Sequence, residues 1–166
     1  MSRTCVLKPA TDRDIDELMS WFPDAGSVGI WGGPKFRYPF TRDSFVQDCA
    51  IEKMSSYTLR APDGRMVAFG QRYARSDRAH LARLIASPAA RRQGYGQQLI
   101  EALIETVRQE GKYRDVSLFV YRHNEPAYRC YRQLGFQVQP YPENAVLREQ
   151  CYFLTRPVDP GITVYR

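Results

Sequence analysis

The chain has 166 residues, 43% hydrophobic and 25% charged, which fits one soluble globular domain over residues 1–166 with room for a real core. No apolar run nears the roughly 20 residues of a membrane helix, and the opening stretch MSRTCVLKPATDRD carries no apolar export core, so the expected location is cytoplasmic. The net charge is +6, but only four of the 24 basic residues are lysines and the basic charge is scattered, which argues against a dedicated nucleic-acid surface.

In chain order, CVLKPA reads as a short strand. Thr11 is placed to cap a helix with Ile15, Leu18, Met19 and Phe22 on one face, ended by Pro23. Residues 23–40, rich in glycine, proline and aromatics, read as a long ordered loop, and Thr41 caps a second helix through about Lys53. SSYTLRAPDGRMVAFGQRYAR is a hairpin turning at Pro62-Asp63-Gly64, where proline fixes φ and glycine supplies φ > 0. HLARLIAS is a strand closed by Pro88. Residues 95–109 form a helix with Leu99, Ile100, Leu103, Ile104 and Val107 as its stripe, and DVSLFVY is the next strand. Asn124 caps a helix that stops at Gly135, and one or two strands follow, including REQCYFLTR. This order predicts a mixed sheet with helices on its faces.

The four cysteines, Cys5, Cys49, Cys130 and Cys151, show no CxxC spacing, and His80 and His123 are the two histidines, so no metal site is expected. The segment SPAARRQGYGQQLIEALI places Gly94 and Gly96 at the mouth of a helix. Unpaired N–H groups and the positive dipole end lie there, and glycines remove the Cβ atoms that would keep an anion away. The turn can therefore cradle a pyrophosphate, with Arg91 and Arg92 adding charge; a plain tight turn before a surface helix is the competing reading. It is not a P-loop, since no GK[ST] follows, and not a dinucleotide fingerprint, since position 99 is leucine.

Arg91-Arg92-Gln93-Gly94-Tyr95-Gly96 resembles the [RQ]xxGx[GA] acetyl-CoA motif of the GNAT superfamily of N-acetyltransferases. Asn124, Ala127, Tyr131, Gly135 and Phe136, following SLFVY, resemble the family's second signature. The resemblance covers residues 80–136 closely. It implies an α/β (α+β) fold with a mixed, mostly antiparallel sheet, splayed central strands and flanking helices. It also implies an enzyme that transfers an acetyl group from acetyl-CoA to a primary amine by direct attack, with no metal. Backbone amides around Gln93, Gly94, Tyr95, Gly96 and Gln97 would hold the pyrophosphate. Leu84, Ile85 and Ala86 match the strand that pairs with the pantetheine, with the Ile85 N–H facing the acetyl carbonyl. The same apolar run suits a strand buried on both faces. Asn124 either caps its helix or bonds the pantetheine, and Ala127 lies on the same helix.

Tyr131 matches the family's general acid, with a core tyrosine as the alternative. His80, at the spacing where histone-type members carry a glutamate, is a candidate base, which predicts an acidic limb near pH 6.5; an exposed strand-end histidine is the alternative, with Asp77 or a water chain as substitute base. Trp31, Phe36 and Tyr38 either line the acceptor pocket or staple their loop to the core. The expected partners are acetyl-CoA and an amine of a small molecule or protein, with no membrane and no nucleic acid, and a homodimer left open. The acceptor and acyl length are not legible. A non-catalytic acyl-CoA sensor and a nucleic-acid-binding protein are the other classes, the last predicting steeply salt-dependent affinity.

Overall fold

The computed structural model describes residues 4–159. Its elements are β1 (Val6–Pro9), α1 (Asp12–Met19), α2 (Ala25–Gly32), α3 (Arg42–Asp48), β2 (Ser55–Arg60), β3 (Met66–Arg75), β4 (Arg78–Ala86), α4 (Tyr95–Glu110), β5 (Asp115–Tyr121), α5 (Glu125–Gln133), β6 (Gln137–Gln139) and β7 (Cys151–Pro157). The seven strands follow the order β1-β2-β3-β4-β5-β7-β6. The β1/β2, β2/β3, β5/β7 and β6/β7 pairs are antiparallel and β4/β5 is parallel, so the expected mixed, mostly antiparallel sheet is present.

The chain packs as two compact units, each built from two separate stretches. One holds the chain up to Arg72 together with Arg83–Ala102; the other holds Tyr73–Ala82 and the chain from Leu103 onward. In the first, Ile15, Leu18, Trp21, Phe22, Val28, Phe36, Phe45 and Phe69 form one buried cluster. In the second, Val116, Leu118, Val120 and Leu154 bury one face of β5 and β7, whose register runs unbroken from Asp115↔Pro157 to Tyr121↔Cys151, and Phe153 is buried on the other face.

α1 starts where the sequence places it. Thr11 Oγ1 accepts the Asp14 N–H (3.3 Å) and Asp14 Oδ2 accepts the Thr11 N–H (2.8 Å), a capping box. It stops at Met19, short of Pro23, because the chain tightens into i→i+3 turns through Ser20, Trp21 and Phe22. α3 is also shorter than expected. Ala50 takes a left-handed backbone (φ 52°), and two partly or fully buried side chains take the last helical carbonyls: Gln71 Nε2 donates to Cys49 O (2.8 Å) and Arg83 Nη2 to Asp48 O (3.1 Å).

The predicted 23–40 loop contains a helix, α2. Asp24 caps it, its Oδ1 accepting the Ser27 N–H at 2.7 Å, and that bond holds the exposed Asp24 carboxyl below its ordinary pKa. Three glycines, Gly26, Gly29 and Gly32, hide the helix from a propensity reading. Tertiary packing pins it instead. Val28 is fully buried, and a Cβ on Gly32 would run into the Phe36 ring. Beyond α5, β6 and β7 are both formed, and the three-residue β6 pairs with β7 from Gln137↔Thr155 to Gln139↔Phe153.

Candidate active site

The glycine turn is built on β4 and a short 3-10 turn at Pro88–Ala90. Ser87 N donates to Val67 O (2.8 Å), which fixes the turn to β3, and Ala90 is buried beneath it. Arg92 (φ 64°) and Gly94 (φ 79°) then reverse the chain. The first α-helical bond of α4 runs from Gln98 N to Gly94 O (3.1 Å). The amides of Tyr95, Gly96 and Gln97 therefore open the helix with no acceptor within it. A Cβ built on Gly94 or on Gly96 meets no atom within 4 Å, so the space above this first turn is unfilled by protein. Arg91, Arg92, Gln93 and Gln97 are exposed around it. Donors, open space and basic side chains fit a diphosphate.

Leu84, Ile85 and Ala86 lead into this turn. The expectation that both faces of the run are buried is corrected: all three residues are half-exposed. The reason lies in the pairing. Among the described residues β4 shares only Ala79↔Val116 and His80↔Ser117 with β5, so its later residues have no ladder partner on that strand. Ile85 packs toward the aromatic cluster of its own unit. The strand is bent at Arg83 (φ 49°), whose carbonyl accepts the Trp31 indole N–H at 2.8 Å. The Arg83 side chain donates to Gln71 Oε1 (3.1 Å) and to the Asp48 carbonyl (3.1 Å). An arginine inside an apolar strand was the available sequence signal for this clamp.

Trp31, Phe36 and Tyr38 belong to the staple. Trp31 packs on Phe22 (4.5 Å between centroids), Phe36 (5.8 Å) and Phe45 (5.9 Å). Phe36 is buried, and the exposed Tyr38 hydroxyl donates to Pro23 O (2.8 Å). Trp31→Ala should therefore cost about 3 kcal/mol in urea unfolding. Tyr38→Phe should stay within about 0.5 kcal/mol. Equal losses would take Trp31 out of the core.

In the other unit, Asn124, Ala127 and Tyr131 lie along α5, all half-buried. Asn124 stands at the N-cap, but its side chain makes no cap hydrogen bond, so capping does not occupy its amide. The Tyr131 ring lies edge-on to Phe136, 6.1 Å between centroids. Loss of hydration, and secondarily the neighbouring Cys130 thiol, hold the Tyr131 pKa well above the ordinary phenol value. The hydroxyl therefore keeps its proton throughout the neutral range.

His80 is neither exposed nor at its ordinary pKa. It is 2% exposed on β4, its Nδ1 lies 2.8 Å from Ser117 Oγ, and rings of Phe119 (4.8 Å) and Tyr73 (5.2 Å) enclose it. Burial first, and the Arg75 cation second, push its pKa down to about 3. An imidazole held this far below its ordinary value is a weak base, and it gives no acidic limb near pH 6.5. Asp77 sits exposed in the β3–β4 turn. Folding holds His80 neutral, whereas the unfolded chain protonates it near pH 6.5. Its contribution is full above that pH and is lost as pH falls toward 3, on the order of a few kcal/mol. Melting temperatures of wild type and His80→Gln from pH 4 to 8 should converge on the acid side. A pH-independent gap would contradict a buried neutral imidazole.

No group of three or more potential metal ligands occurs among the described residues, and no helix there is long and apolar enough to cross a membrane. All four cysteines are free thiols, and burial pushes Cys49 up to about 12.

Known proteins align with this arrangement. The chain is similar to a Bacillus subtilis (strain 168) protein named as a putative ribosomal protein bS18-alanine N-acetyltransferase, at 26% identity over 102 residues, 61% of this chain and 67% of that one. Its fold matches spermidine N-acetyltransferase from Vibrio cholerae, solved with CoA and spermine, at TM-score 0.73 and 13% identity, covering 93% of this chain and 95% of that one. It also matches aminoglycoside acetyltransferase AAC(6')-Ib, solved with ribostamycin and coenzyme A, at TM-score 0.74 and 21% identity, covering 93% of each. The family model for the acetyltransferase (GNAT) family spans residues 15–136, well over half of the sequence, and the chain belongs to that family.

Proposed function

We propose that this acetyl-CoA-dependent N-acetyltransferase passes the acetyl group directly to a primary amine, with the α4 turn holding the cofactor and Tyr131 supplying the proton. The observation that carries the reading is the first turn of α4: three amides without helical acceptors beneath a space that no Cβ fills. The amides of Tyr95, Gly96 and Gln97 bind the pyrophosphate, and Arg91 and Arg92 screen its charge. The half-exposed stretch Leu84–Ala86 pairs with the pantetheine, and the Ile85 N–H polarises the acyl carbonyl. The Asn124 amide, free of capping, is available to hydrogen-bond a ligand.

When bound, acetyl-CoA supplies an activated thioester. Tyr131 holds the proton that the departing thiolate needs. His80 is buried and a weak base, so the amine loses its proton to solvent water. The acidic limb of kcat/KM then follows the pKa of the acceptor rather than that of His80.

The basic balance supports an enzyme over a nucleic-acid binder. Arg37, Arg42, Arg60, Arg65, Arg108 and Arg129 are each paired with a carboxylate, which offsets part of the basic charge a phosphate backbone would need. A panel of primary amines incubated with acetyl-CoA, read as free thiol and as acetylated product, tests the reading. Thiol release that depends on an amine is expected. Acetyl-CoA binding without release across the panel would favour a sensor.

A further inference from the structure

Arg75 is the last residue of β3, and its guanidinium carbon lies 4.9 Å from the centre of the Phe119 ring. Its Nη1 is 3.5 Å from the Tyr73 hydroxyl, a long contact. Among the described residues no carboxylate pairs with it, including the exposed Asp77 two positions on. Its neighbour across the turn makes the contrast. Arg78 also lies over a ring, Phe153, but it meets Asp115 at 3.6 Å.

The surroundings of Arg75 are half-open and mostly aromatic. Tyr73, Phe119 and Tyr141 are all partly exposed, and Tyr141 lies 5.2 Å from Phe119. The Tyr141 hydroxyl is already engaged, donating to Val146 O at 2.7 Å. The groups facing Arg75 thus offer π faces and one distant hydroxyl, with no anion to match a planar fork of five N–H donors. A ring face attracts an accessible cation only weakly and satisfies none of those donors in their plane.

We infer that Arg75 is the anchor of a carboxylate subsite for the acceptor, with Phe119 and Tyr141 flanking the acceptor's carbon skeleton. The proposal rests on the reading of the chain as an N-acetyltransferase and narrows its acceptors to amines that carry a carboxylate. It also sets polyamines apart, since an unpaired cation repels them.

The probes are N-acetylglycine, N-acetylleucine and N-acetylphenylalanine, each beside its C-terminal amide, titrated by calorimetry into the CoA-saturated protein. At least one acid should bind about 10-fold or more tightly than its amide, because only the acid presents an ionised bidentate acceptor. Arg75→Gln should bring that ratio close to one, and Arg75→Lys should keep part of it. Equal affinity of acid and amide in the wild type, binding by neither, or a preference that survives Arg75→Gln would overturn the subsite. If Arg75→Gln fails to fold, the wild-type ratio and Arg75→Lys decide. Acid preference without acetyl transfer to any amine would contradict the enzyme reading and leave the subsite standing. A second arm compares acetylation rates of leucine, leucinamide and a peptide beginning with leucine and ending in a free carboxylate. Preference for the amino acid over both others places the carboxylate beside the amine, and preference for the peptide over both leucine and leucinamide places it further along. Equal rates on all three would count against the subsite.

Discussion

Tyr131→Phe should lower kcat by about 10²-fold or more while leaving acetyl-CoA affinity nearly unchanged. The substitution removes one oxygen from a half-buried ring and keeps its edge-on contact with Phe136. General acids typically contribute roughly 10²–10⁴-fold, and burial raises the pKa of this phenol. A phenol that holds its proton tightly gives less driving force for transfer, yet it is never deprotonated at working pH. The pH–rate profile should therefore show no limb from Tyr131 on the alkaline side. Single-turnover kinetics with saturating amine separate the chemical step from product release. An unchanged chemical rate would make Tyr131 a packing residue.

Gly96→Val should weaken acetyl-CoA binding by 10-fold or more, about 1.4 kcal/mol, against a wild-type Kd in the micromolar range. The protein itself leaves room for the new side chain, since a Cβ at Gly96 meets nothing within 4 Å and its backbone is not left-handed. Helix propensity changes little between glycine and valine. The fold should therefore survive, and the loss should come from the ligand alone. Gly94 is a poorer probe, because its φ of 79° strains any replacement. Calorimetry on a variant whose melting temperature is preserved makes the test. Normal affinity in such a variant would remove the turn from the cofactor site.

The parts of the molecule legible in the sequence are those fixed by short spacings. The turn from Arg91 to Gly96, the stripe of α4 and the start of α1 at Thr11 all depend on residues within a few positions of one another. α2 was missed because its three glycines give no helical signal and its stability comes from packing of Val28 and Trp31. The burial of His80 is hidden in the sequence for the same kind of reason. The residues that enclose it and strip its hydration, Ser117, Phe119 and Phe153, stand 37 to 73 positions away. The Arg83 clamp reaches Met54, Gln71 and Asp48, and no local pattern announces such partners. The candidate site is thus readable where backbone conformation does the work. It is unreadable where distant side chains set burial and charge.

The most direct measurement of the central claim follows the acetyl group itself. Acetyl-CoA labelled in the acetyl carbon is mixed with the protein alone and then with an acceptor amine. Protein and small molecules are separated after each step. Direct transfer predicts that the label stays on CoA until the amine is added and then appears on nitrogen, with none retained by the protein. Label held covalently by the protein, or label that never leaves CoA although binding is intact and the amine panel is broad, would contradict it.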